Sequence, residues 1–477
     1  MAGWDSLKQL IKMEIVQRQE EGCSIEGFMD KWESAGEDRQ HLLKVYEELA
    51  ALTVDAAFPF EEPSELDHIR RLRPQEQGAS TLAEAAYTDE QWQDKFYGAW
   101  LGRLSGCALG KPLESGAFMA GTSEHPGWRN VQLWFEGAGA WPIKGYTPRH
   151  SSAETEGIAI ADWSWKSTKE HIAFMESDDD VRYTVLGLLM LEEKGLHWDS
   201  WDIGRLWHSR LTYGQVCTAE TQAYLNFAQV TSHMEGWRGK PDNWEDHKEW
   251  VRTYLNPYRE WIGAQIRADG FAYGAAGNPE LAAEFAWRDA SFSHVKNGIY
   301  GEMFAAAMIA AAFIESDPER IVAAGLQQIP ATSRLAQDIG QAVEIAKSST
   351  DQIELVSRIW EAFKHYDPVH TNNNAALVAA SIIFAQGDFE KGITTAVLGG
   401  WDTDCNGATV GSILGASLGA RALPASWIDP LNDTFYADLH GFHPIAVSEC
   451  ARRSFLVFRK IEKERLEAAA NDKKVRA

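Results

Sequence analysis

The chain has 477 residues, 45% of them hydrophobic, enough for one large domain with an appendage or for several domains. A net charge of −24 repels phosphate backbones, which argues against nucleic acid as a partner and leaves an anionic small substrate in need of a metal or an arginine. A mean hydropathy of −0.33, with no apolar stretch near ~20 residues, argues against a membrane protein.

The opening Met1-Ala2-Gly3-Trp4-Asp5 shows no charged region followed by an apolar one, so a secretory signal is not expected. Cys23, Cys107, Cys217, Cys405 and Cys450 are scattered and odd in number, which fits a reducing cytoplasm and argues against a disulfide framework or a thiolate zinc site. Residues 1–55 read as polar helices, with Leu7, Ile11 and Ile15, then Leu42, Leu43, Tyr46 and Leu49 at helical spacing. A stretch bearing Pro and charge follows, Phe58-Pro59 to Arg73-Pro74. A boundary is therefore placed near residue 88: an N-terminal helical appendage over 1–88, a main domain over 89–461, and a charged, fraying helical tail over 462–477.

The main domain is rich in Ala, Leu and Gly. Apolar helical runs fall at 181–194, 300–314, 374–386 and 407–422, and strand signals are weak. Residues 115–170 and 230–260 read as irregular, Trp-bearing insertions suited to covering a substrate. The chain has 20 tryptophans, whose faces stack on sugars and bases, although ordinary core packing accounts for any single one. Two rows of glycine recur every four positions: Gly98, Gly102, Gly106, Gly110 and Gly407, Gly411, Gly415, Gly419. Glycine weakens a helix, so such rows predict two central helices in very close contact.

Two acidic clusters carry the chemistry. One is Glu176-Ser177-Asp178-Asp179-Asp180; the other is Trp401-Asp402-Thr403-Asp404-Cys405-Asn406-Gly407. Adjacent carboxylates repel and are costly to bury. Beside apolar helices they predict a shared cation, and hard oxygen donors suit Mg²⁺, Mn²⁺ or Ca²⁺. A single N-terminal acid serves as a helix cap, but three in a row exceed what capping needs. Glu176 and Asp180 are read as solvated or as supporting the ligands. The Asp-x-Asp-x-Asn-Gly opening of an EF-hand is present, but its closing Glu would fall at Ile413, so that reading fails. Gly415-Ala416-Ser417-Leu418-Gly419 matches a nucleophile elbow but sits in a small-residue helical run and is rejected. Glu114, after a Pro at the end of a buried helix, is a candidate acid or base. His294 reads as a core histidine.

Taken together, Gly-x-x-x-Gly-x-Ala-Leu-Gly-x-Pro-x-Glu, Ser-Asp-Asp, Gly-Ala-Gln-Ile-Arg (263–267), Ser-His (293–294) and Gly-x-Asp-Thr-Asp resemble the ADP-ribosylglycohydrolase family over roughly 92–460. The resemblance is to its dinitrogenase reductase-activating glycohydrolase-like members. It implies an all-α orthogonal bundle with Mg²⁺ or Mn²⁺, two ions or one, and a hydrolase acting on an ADP-ribosylated substrate or small riboside. Carried onto this chain, the metal ligands would be Ser177, Asp178, Asp179, Asp402, Asp404 and Cys405. Glu114, Asp179 and Asp404 would be catalytic, and Gly263, Gln265 and Arg267 would bind substrate; Trp401, by residue type, is a candidate to stack on a base or sugar. The chain departs from the family at Cys405, where a hydroxyl ligand is usual, at Cys107, where Asp is usual, at the inserted Trp401, and at Lys111, where a small residue is commoner. Two other readings remain open: hydrolysis of a small N-riboside or other glycoside, and a non-catalytic metal- or ligand-binding protein.

Overall fold

Two glycine-lined helices form the axis of the protein. The computed structural model describes residues 5–74, 87–232 and 239–476, with backbone alone from 468 onward. The first central helix, Asp89–Gly110, is started by a reciprocal capping box between Thr88 and Gln91. The second, Thr403–Leu418, ends where Gly419 turns into the left-handed region at φ 80°. The two run antiparallel. Gly98 faces Gly415, Gly102 faces Gly411, Gly106 faces Gly407 and Gly110 faces Thr403; a Cβ at any of these four glycines would overlap a carbonyl oxygen of the partner helix. Only glycine permits this backbone-to-backbone approach. Gly419 leaves the row and caps the helix, its hydrogen side filled by the Asp94 carboxylate.

Around this axis pack Asp179–Lys194, Ala268–Gly274, Lys296–Ala312, Thr371–Ala385 and Phe389–Leu398. The four apolar runs expected from sequence lie largely in helices; those at 300–314, 374–386 and 407–422 overrun the helix ends at Ala312, Ala385 and Leu418. Lys296–Ala312 is buried from Asn297 to its end, as a helix apolar on every side must be. Among the described residues the only sheet is one short antiparallel pair, Thr434–Phe435 with Ile445–Ala446, so the fold is all-α. No helix of the described residues is long and apolar enough to cross a membrane.

Two expectations of irregular structure are corrected. Gly127–Gly137 is a helix, with Val131, Trp134 and Phe135 buried along one face. Trp244–Thr253 is another, burying Trp244 and Val251. In both, aromatic residues taken as loop markers are anchors at helical spacing.

The N-terminal helices Leu7–Glu20, Phe28–Ala35 and Arg39–Ala50 share a small core of Ile11, Ile15, Phe28, Leu42 and Leu49. They dock on the rest through buried polar contacts. Arg259 ion-pairs with Glu14 at 2.6 Å and Glu21 at 2.9 Å, and Gln17 donates to Glu260 at 2.8 Å; Arg334 bridges Glu260 to Glu62, in the segment that follows these helices. The last helix, Val447–Arg476, continues through the residues after 461, where a charged helical tail was expected.

Candidate metal centre

Three helix ends converge at one end of the central pair. The first central helix tightens into the turn Lys111–Leu113, after which Glu114 leaves the helical conformation. Asp178 caps Asp179–Lys194, its Oδ1 accepting from the Asp180 N–H at 3.0 Å. Asp402 precedes the second central helix. Thr403 ties that helix to the first by donating to the Gly110 carbonyl at 2.9 Å. The Asn374 side-chain oxygen accepts from the Asp402 N–H at 3.3 Å and from Asn406 at 2.7 Å, which holds the turn.

This convergence joins acidic residues more than two hundred positions apart. Donor atoms of Cys107, Asp178, Asp180 and Asp404 lie within 4.8 Å of one another, and so do those of Asp402, Asp404 and Cys405. Both groups are buried and could hold a metal ion, and Asp404 belongs to each. They differ in what already compensates them. Asp178 gives Oδ2 to the Lys111 ammonium at 2.5 Å. Asp180 pairs through Oδ1 with Arg103 at 3.0 Å and accepts the Cys405 thiol on Oδ2 at 3.1 Å. By contrast, no Lys, Arg or His among the described residues ion-pairs with Asp179, Asp402, Asp404 or Glu114. The Oδ1 atoms of Asp402 and Asp404 are buried with no hydrogen-bond partner.

The electrostatics follow from this division. Burial works against the Asp178 carboxylate, but Lys111 outweighs it and holds Asp178 below the ordinary range. Burial, reinforced by Asp178, pushes Asp179 up to about 6. Burial raises Asp402, and burial with the charges of Glu114 and Asp178 pushes Asp404 well up. Burial beside Asp402 and Asp178 does the same to Glu114. Like charges with no counter-ion resist ionisation together, and a divalent cation relieves that.

The remaining predicted site residues lie in different surroundings. Ser177 accepts from Arg182 on its hydroxyl at 3.2 Å. Trp401, 2% exposed and left-handed at φ 58°, stacks on Trp360 with ring centres 5.1 Å apart. Arg267 is buried and already paired: with Asp289 and Glu220 at 2.5 Å each, with the Ser293 hydroxyl at 3.0 Å and with the Gly263 carbonyl at 3.1 Å. The glycine at 263 makes room for the Glu220 carboxylate, which a Cβ would strike. Of this segment, Gln265 is the one with capacity to spare: it is 1% exposed and neither amide atom has a partner. His294 is wholly buried, its Nδ1 2.8 Å from the Ser293 hydroxyl and its Nε2 without a hydrogen-bond partner, 3.9 Å from Glu220.

Three residues escaped the reading of the sequence as site members. Asp180, set aside as solvated or supporting, is 0% exposed. Arg103 is buried between Asp180 and Asp269, the latter at 2.7 Å. Lys111 is held by Asp178 and the Ser177 carbonyl. A cation inside or beside a glycine row was the available signal, because burying it requires a carboxylate partner. A separate cleft of about 830 Å³ opens near the other end of the central pair, beside Asp94, Tyr97, Arg421 and Arg452, and includes none of these donors.

A solved structure, an ADP-ribosylglycohydrolase-related protein complex, is 18% identical over 78% of this chain and 99% of its own, with a TM-score of 0.45. No match is found among curated proteins. The sequence profile described as ADP-ribosylglycohydrolase matches residues 88–458, and the chain therefore belongs to the ADP-ribosylglycohydrolase family.

Proposed function

We propose that the chain is a metal-dependent hydrolase of a ribosyl glycosidic bond, with Mg²⁺ or Mn²⁺ as its ion. The observation that carries this reading is the pair of buried, unpartnered carboxylate oxygens on Asp402 and Asp404, beside Asp179 and Glu114, which likewise lack a cation. Their donor set is oxygen-rich and suits a hard ion. When bound, such an ion orients substrate hydroxyls and lowers the pKa of water.

The protein's own groups supply the rest. Asp402 and Asp404 would hold the ion, with Asp179 and, by family resemblance, Ser177 and Asp178 nearby. Glycosidic cleavage passes through an oxocarbenium-like transition state, which an excess of carboxylates stabilises. Glu114, at the end of a rigid turn and raised above the ordinary carboxylate range, takes or returns the proton of the attacking water, with Asp179 or Asp404 as the alternative base. Gln265, with both amide atoms unpartnered, is the substrate-binding candidate in its segment. A small N-riboside is favoured over a bulky ADP-ribosylated partner by one observation: Arg267 and Trp401, the expected phosphate and base contacts, are both turned into the core.

A hydrolysis screen tests the proposal. ADP-ribosylated protein, ADP-ribose derivatives, nucleosides and simple glycosides are incubated with Mg²⁺, with Mn²⁺ and with chelator. Release of a sugar that chelator abolishes is expected, together with a loss of at least about 100-fold in Asp404→Asn, as for removal of a main electrostatic contributor. Undiminished turnover in chelator would remove the metal from the mechanism. Metal binding without turnover on any substrate would instead favour a binding protein.

A further inference from the structure

The two donor groups are not equivalent, and the difference lies in a lysine. In the group of Cys107, Asp178, Asp180 and Asp404, both oxygens of Asp178 and both of Asp180 already have donors from the protein. The donor at Asp178 Oδ2 is the Lys111 ammonium at 2.5 Å, which also donates to the Ser177 carbonyl at 3.0 Å. Ser177 and Asp178 are two of the positions where the family resemblance puts metal ligands. In the group of Asp402, Asp404 and Cys405, the Oδ1 atoms of both aspartates are buried with no partner.

From this division we infer that the Lys111 ammonium takes the place of a divalent ion at the group of Asp178, leaving a single-metal centre on the Asp402–Asp404 side. This rests on the metal site of the proposed function and deepens it.

The lysine is built into its position. It belongs to a turn stiffened by Pro112 that continues the first central helix, whose last glycine is pressed against Thr403. Its side chain is 4% exposed, and the Trp163 ring lies 4.6 Å from the ammonium. A divalent ion bound at Asp178 would therefore have to displace a buried ammonium from two acceptors or sit beside it against charge repulsion. One positive charge held covalently costs no ion binding, but it presents no open coordination position to water or substrate. Those tasks fall to the one exchangeable ion.

Stoichiometry decides the matter. Metal-free full-length protein is titrated with Mn²⁺ and followed by calorimetry and by electron paramagnetic resonance. One ion per chain is expected, with the hyperfine pattern of an isolated Mn²⁺. Lys111→Met should take up a second ion and show the spectrum of an exchange-coupled pair. Two ions in the wild-type protein would overturn the inference, and so would a folded Lys111→Met that still binds one. If Lys111→Met does not fold, the wild-type stoichiometry still decides. One bound ion without glycosidic turnover leaves the inference standing and removes the proposed function. Turnover with two bound ions does the reverse, and no bound ion removes both.

Discussion

Cys405 shows how much depends on single donor atoms. Its thiol is 6% exposed and donates to Asp180, and burial beside Asp180 pushes it well above the ordinary thiol range. A neutral thiol is a poor ligand for a hard ion. Replacing it by a hydroxyl keeps the donation to Asp180 and adds an oxygen. Cys405→Thr is therefore expected to bind Mn²⁺ with equal or higher affinity in a calorimetric titration; a clear drop would show that sulfur has a role of its own. At this scale the sequence was partly legible. Asp402 and Asp404 stood out because paired carboxylates before an apolar helix need a cation. Asp180 did not, because its inward position rests on Arg103, 77 positions away. Arg267 was assigned to a substrate by the family resemblance and Trp401 by residue type. Their partners, Trp360 and the Asp289 and Glu220 carboxylates, are distant in sequence and claim them for the core.

At the scale of elements, the two glycine rows were legible because little else explains glycine every fourth position in a helix. Gly106→Ala would push a methyl into the Gly407 carbonyl. Destabilisation of at least about 2 kcal/mol is expected, as for overpacking of a rigid core, read as a fall in the denaturant midpoint. Gly340, on the exposed side of Arg334–Ser348 with nothing near its Cβ position, is the control: Gly340→Ala should stabilise, by up to about 1 kcal/mol. The docking of the N-terminal helix is a second element-scale property. Burial, reinforced by Glu260, raises Glu20 from 4.5 to about 8, and burial lowers His370, 3.6 Å away, to about 3. The docked helix thus holds the Glu20 proton, while the undocked one releases it near 4.5. The contribution to docking is complete below 4.5, declines as pH rises and is lost above about 8. Hydrogen-exchange protection of Leu7–Glu20, corrected for intrinsic rate, should fall across that window, and Glu20→Gln should flatten the fall. Equal slopes in the two proteins would sink this assignment.

For the whole molecule, the net charge of −24 sets the terms on which an anionic substrate arrives. Beyond the Debye length of about 8 Å at physiological salt the repulsion is screened. KM for a phosphate-bearing riboside should therefore decrease as salt is raised from low ionic strength, while KM for a neutral nucleoside stays level. The same slope for both would place the charge too far from the site to matter. The helical runs, the two touching helices and the acidic pair Asp402 and Asp404 were determined by the sequence alone. These are local properties: periodicity, glycine spacing and adjacent like charge have the same consequence in any surroundings. Only the tertiary structure decided which acids face one another, which cations already compensate them and which aromatics are closed off. Those outcomes depend on contacts between residues tens to hundreds of positions apart. No local pattern shows that Lys111 lies against Asp178, or that Arg103 is already shared between Asp180 and Asp269.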